Sequence, residues 1–170
     1  MVDSIWLAVS AIAAAIGTIF AFGACYLSYK ATMAQIYSTN MNFCNERYVD
    51  IRKNIENSKF KDNEEDFVNA CKDLFELLCH EFYLWLDERL PDKIYMEWMF
   101  FNSKSFPTYV YKNGQKSIKV IWSADDNLER FSYHNNFVTC MKYIFNKKIT
   151  EIQKHKKEWQ KEWRQKKWEE

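Results

Sequence analysis

The run SIWLAVSAIAAAIGTIFAFGACYLSY, residues 4–29, carries no charged side chain; Asp3 precedes it and Lys30 follows it. As a helix it extends about 39 Å, more than the ~30 Å hydrocarbon core of a bilayer. The reading is a transmembrane helix that tilts to fit. Trp6 at one end, with Tyr26 and Tyr29 at the other, stand where interfacial anchors belong. A signal peptide needs a basic leader, and this one offers Asp3 and no Lys or Arg. Phe22-Gly23-Ala24-Cys25 only faintly resembles a lipoprotein cleavage box. Basic residues near the span lie on its C-terminal side, at Lys30 and then Arg47, Arg52 and Lys53. The N-terminus is therefore expected outside and the C-terminal mass in the cytosol.

Within the span, small residues recur at every fourth position: Ala13, Gly17, Ala21 and Cys25. Such a smooth ridge lets helices approach closely in lipid, so the span is expected to self-associate. Apart from the Cys25 thiol no span residue is ionisable at neutral pH, so an ion relay is not indicated.

Only three glycines and two prolines occur in the chain, which predicts long helices with few turns. The fold expected is all-α: a single N-terminal transmembrane helix (1–30) followed by a cytosolic helical domain (31–170), of which 147–170 form an extended charged helix. The net charge of +1 gives no global field drawing nucleic acid. Five cysteines, at 25, 44, 71, 79 and 140, are an odd number without metal-ligand spacing and fit free cytosolic thiols. No metal and no cofactor is expected.

Beyond Lys30 the helix can continue to about Asn57. Its apolar positions Met33, Ile36, Met41, Phe43, Tyr48 and Ile51 have helical but imperfect spacing. Ser38, Thr39, Asn40 and Asn42 form a polar patch, read as a kink or as the vestibule of a pore. Residues 64–89 are the clearest amphipathic helix, with Phe67, Cys71, Leu74, Phe75, Leu78, Phe82 and Trp85 on one stripe. His80 shares a face with Glu76 and reads as a solvated histidine. Pro91 opens a short helix, DKIYMEWMFF. In TYVYKNGQKSIKVIW, residues 108–122, two β-branched and aromatic runs flank Asn113-Gly114. Either a small hairpin or a loop with a short helix fits. Ser123-Ala124-Asp125-Asp126 resembles an N-cap with an acidic first turn, and the last helix is expected from about Ala124 to near the end.

That last helix holds RFSYH, residues 130–134. At about 100° per residue, Phe131, Val138, Met141, Phe145, Ile152 and Trp159 make one apolar stripe, and Arg130 and His134 fall inside it. An arginine there needs a partner, because an unpaired buried charge is expensive. After residue 146 the helix carries nine basic against five acidic residues, punctuated by Trp159, Trp163 and Trp168. Alternating Lys and Glu mark a solvated helix, and a contact with RNA or anionic lipid is the other reading.

An Arg and a His about a turn apart, near the start of a bundle's last helix, resemble the motif of HEPN-type RNases. Three residues, Phe131-Ser132-Tyr133, separate the pair here, where that motif usually has four to six, and the shortening weighs against RNA cleavage. Together with the N-terminal span and the compact helical body, the chain looks like the small membrane accessory proteins of type VI-B CRISPR systems. The resemblance implies a HEPN-like bundle in a bacterial inner-membrane protein that assembles into a higher-order homo-oligomeric ring. It implies a pore that enhances antiphage defence by permeabilising the membrane, functionally linked to an RNA-guided CRISPR nuclease. Arg130 and His134 would be its inherited site pair, bridging subunits or cradling a ligand, with direct RNA contact left open. Two other readings stand beside it: a membrane-tethered, metal-independent RNase using Arg130 and His134, and a non-catalytic membrane-anchored helical scaffold. No glycine-rich phosphate loop and no nucleophile elbow occurs.

Overall fold

The computed structural model describes residues 2–111, 116–124 and 129–169. Six α-helices and a two-stranded sheet are formed there. They are α1 (Val2–Phe60), α2 (Glu64–Leu86), α3 (Asp92–Ser105), β1 (Val110–Tyr111), β2 (Lys116–Ser117), α4 (Ile118–Trp122), α5 (Asn135–Phe145) and α6 (Ile149–Glu169). The chain divides into two units, Met1–Thr39 and Asn40–Glu170.

The first unit is the N-terminal part of α1. Every residue from 10 to 32 is exposed, and this helix is long and apolar enough to cross a membrane. Thr18 and Thr32 turn their hydroxyls back onto the carbonyls of Ala14 and Ser28, at 2.9 and 3.0 Å, which satisfies those donors without water.

The second unit is a helical bundle. From α1 it takes Cys44, Ile51 and Ile55, buried one or two turns apart. Every stripe residue of α2 is buried. Its start is capped by Asn63, whose side chain accepts the Asp66 N–H at 3.1 Å; Glu64, Glu65 and Asp66 complement the positive end of the helix. The core is largely aromatic. Phe82 meets Trp85, Phe137 and Trp159 at 5.4–6.1 Å between ring centres, and Trp85 stacks on Tyr95 at 4.4 Å. Trp122 gathers Phe75, Phe131 and Phe137. Full burial contributes about 1.5–3 kcal/mol for each such phenylalanine.

Both readings of residues 108–122 are realised in part. β1 and β2 pair antiparallel, Val110 opposite Ser117 and Tyr111 opposite Lys116, and the short helix α4 follows, capped by Ser117. The Asn113-Gly114 turn lies outside the described residues. So do Asp125 and Asp126 of the expected acidic N-cap; Ser123 instead closes the C-terminus of α4.

The last helix is not continuous, contrary to the sequence expectation. Residues 131–133 form a turn, α5 starts after His134, and Lys147 breaks the chain again before α6. The breaks need no glycine. Asp62, Glu88 and Lys147 take positive φ of 52, 60 and 57°. After each, the next N–H reaches back five residues: Asn63 to Ser58 O, Arg89 to Leu84 O and Lys148 to Tyr143 O, at 2.8–2.9 Å. This is the helix closure that usually employs glycine, carried here by exposed charged residues, of which Asp62 accepts the Tyr111 hydroxyl at 2.6 Å.

Candidate functional site

RFSYH is held at one point by Phe131, which is buried against Trp122 and Phe137. The flanking turn then sends its two polar members different ways. Arg130 is exposed, not inside the apolar stripe that a continuous helix would give it, because residues 131–133 interrupt the helix. Its guanidinium pairs with Glu76 of α2; the side chains are 52% and 37% exposed. His134 is half-buried and sits at the N-cap of α5 without capping it. Its Nδ1 shares a 2.7 Å hydrogen bond with the Tyr83 hydroxyl. Burial, and then the Lys166 charge, hold the His134 ring below its ordinary pKa, so it is neutral at pH 7.

His134 opens onto a cleft of about 750 Å³ whose walls include Tyr83, Tyr133, Asn136, Glu162, Trp163 and Lys166. Asn136 donates to Glu162 at 2.7 Å, Trp163 donates to Asp87 at 2.6 Å, and Tyr83 lies 4.3 Å from the Trp163 ring. Asn135, the other amide after the motif, also lines it. Arg130 is not among its lining residues. The cleft thus offers a neutral imidazole, one carboxylate and one ammonium. It can hydrogen-bond a polar ligand and move a proton at His134, but in a single copy it lacks the guanidinium that would hold a phosphate.

Of the other residues singled out in the sequence, Ala13, Gly17, Ala21 and Cys25 are exposed on α1. Ser38, Thr39 and Asn42 are exposed, while Asn40 is half-buried and donates to the Arg89 carbonyl at 3.1 Å. His80 is exposed and meets the Phe43 ring edge-on. Trp159 is buried, and Trp163 is half-buried, engaged by Tyr83 and Asp87 at the wall of the cleft. Cys44, Cys71, Cys79 and Cys140 are buried thiols. Among the described residues no cluster of His, Cys, Asp and Glu could hold a metal ion.

One site escaped the sequence reading. Glu81, on α2, is only 4% exposed, and Asn102, on α3, only 3%. Glu81 Oε2 and Asn102 Oδ1 have no hydrogen-bond partner among the described residues. Both line a cavity of about 180 Å³ with Asn45, Tyr48, Trp98 and Phe101. Burial pushes the Glu81 carboxyl up to about 8, so it holds its proton near neutrality. The sequence did carry a signal: Glu81 falls three residues after Leu78 and four before Trp85, on the apolar stripe itself. Against known proteins the chain matches no family model, no curated protein and no solved structure.

Proposed function

We propose that this chain is a single-span membrane effector that self-associates through its span into a homo-oligomeric pore. The observation that carries the reading is the complete exposure of residues 10–32. An apolar helix with no partner of its own is covered by lipid and by other copies. Its ridge of Ala13, Gly17, Ala21 and Cys25 suits close helix approach, and a Cβ built on Gly17 meets nothing within 4 Å. The exposed Ser38, Thr39 and Asn42 would line the cytosolic vestibule. The span lies in a bacterial inner membrane with its N-terminus outside, as the placement of basic residues favours. A role in RNA-guided antiphage defence comes from the resemblance to type VI-B accessory proteins. Ion flux from liposomes holding the purified chain tests the reading: flux that Gly17→Leu abolishes supports it, and liposomes that stay sealed contradict it.

The cleft at His134 favours a second reading, a membrane-tethered RNase. Arg130 is engaged by Glu76 and absent from that cleft, so phosphate would have to be held by another copy or by Lys166. Single-stranded RNA cleavage that His134→Ala abolishes would support this reading; a folded oligomer without cleavage contradicts it.

A further inference from the structure

Glu81 and Asn102, each with an orphaned oxygen, line one cavity. An unpaired buried polar atom has lost its hydration without a replacement, so a fold that keeps two of them on one cavity favours a donor between them. The cavity measures about 180 Å³, several times the ~30 Å³ share of one liquid water. The rest of the lining selects the donor. Tyr48, Trp98 and Phe101 line the same cavity, and aromatic rings attract cations at their faces. Among the described residues no Lys or Arg lines the cavity. Asn45 and Phe101 are exposed while Glu81 and Asn102 are buried, so the cavity leads from solvent inward to the two acceptors.

We propose that this cavity binds a primary alkylammonium group, its N–H donors shared between Glu81 Oε2 and Asn102 Oδ1 and its charge seated among Tyr48, Trp98 and Phe101. A quaternary ammonium would satisfy the rings but leave both oxygens unpaired; an alcohol would supply one donor and no charge.

The cation also changes the protonation of the site. Empty, Glu81 keeps its proton near neutrality; occupied, it ionises against the ammonium. Binding at pH 7 therefore releases about one proton, and binding well above the Glu81 titration releases none. The titratable groups that feel the Glu81 charge are Cys44 and Tyr48 of α1 and Tyr95 of α3. These ordinarily lose their protons at higher pH than this carboxyl. The cations of α1, Arg47 and Arg52, do not offset burial at Glu81.

The experiment is a calorimetric titration of the full chain in detergent with butylammonium chloride, in phosphate and in MOPS, because Tris is itself a primary ammonium. Tetramethylammonium and butanol are the comparison probes. The expected result is saturable butylammonium binding with proton release at pH 7. Glu81→Gln should weaken it about tenfold or more and abolish the release. Phe101→Ala, at the exposed rim, should weaken binding while leaving the thermal midpoint in place, and it serves if Glu81→Gln unfolds. Nα-Acetyl-lysine methyl amide, titrated alongside, distinguishes a protein lysine from a free amine as the natural source. No butylammonium binding at tens of millimolar, equal binding of tetramethylammonium or butanol, or binding indifferent to both substitutions would overturn the proposal.

Discussion

Glu81→Gln should remove the fall in stability that Glu81 contributes between acid and neutral pH. The carboxyl titrates ordinarily at 4.5, and burial pushes it up to about 8. Below the lower value both folded and unfolded chains carry the proton, and the residue contributes no pH dependence. Between the two values the folded chain holds a proton that the unfolded chain has released. Stability therefore falls as pH rises, by about 1.4 kcal/mol per pH unit. The loss reaches roughly 3 kcal/mol by pH 7 and levels off at roughly 5 kcal/mol above the folded-state value. Glutamine keeps the shape and cannot ionise. It can also offer its N–H₂ to Asn102, which shifts stability by a constant and leaves the slope alone. The assay is thermal melting of the full chain in amine-free buffers from acid to mildly alkaline pH. The gap between the two proteins should open steadily with pH, reaching on the order of 10 °C near neutrality. Parallel profiles would refute the reasoning, since they would mean that the folded chain ionises Glu81 as easily as the unfolded one.

The Arg130–Glu76 pair is half-exposed, so Arg130→Ala and Glu76→Ala should each change stability by less than about 1 kcal/mol, with small coupling in a double-mutant cycle. Phe82→Ala opens the aromatic core between α2, α5 and α6 and should destabilise by about 3–5 kcal/mol in the same melting assay; a change under 1 kcal/mol would contradict the core assignment. Lys166→Gln removes the charge that opposes protonation of His134. The His134 ring should then titrate at higher pH by NMR, still below its ordinary value because burial persists.

What could be read from the sequence divides along lines that physics explains. The α2 stripe was legible because a single helix with one buried face repeats its apolar residues at a fixed period, and every stripe residue from Phe67 to Trp85 is buried. The long α1 was legible from the lack of charge and of helix-breaking residues. The ends of α1 and α2 fall within three residues of those expected, but the break after α5 was not legible, because Lys147 adopts the left-handed conformation that glycine would have advertised. Missing the breaks around α5 had a further consequence: a wheel drawn as one helix placed Arg130 on the buried face, where the structure has it exposed. The apolar members fared better. Phe131, Met141, Ile152 and Trp159 are buried, because each short helix keeps its own stripe toward the core. Glu81 was overlooked for the opposite reason, as a charged residue passed over on a helix rich in surface charge, although its position in the repeat places it inside.

Self-association through the span is read from the particle mass of the detergent-purified protein beside Gly17→Leu. The chain weighs 20.6 kDa. The wild type should run as a closed, higher-order multiple of that mass, and collapse to monomer when leucine roughens the ridge of Ala13, Gly17, Ala21 and Cys25. A wild-type protein that is monomeric or a simple dimer would contradict that assembly.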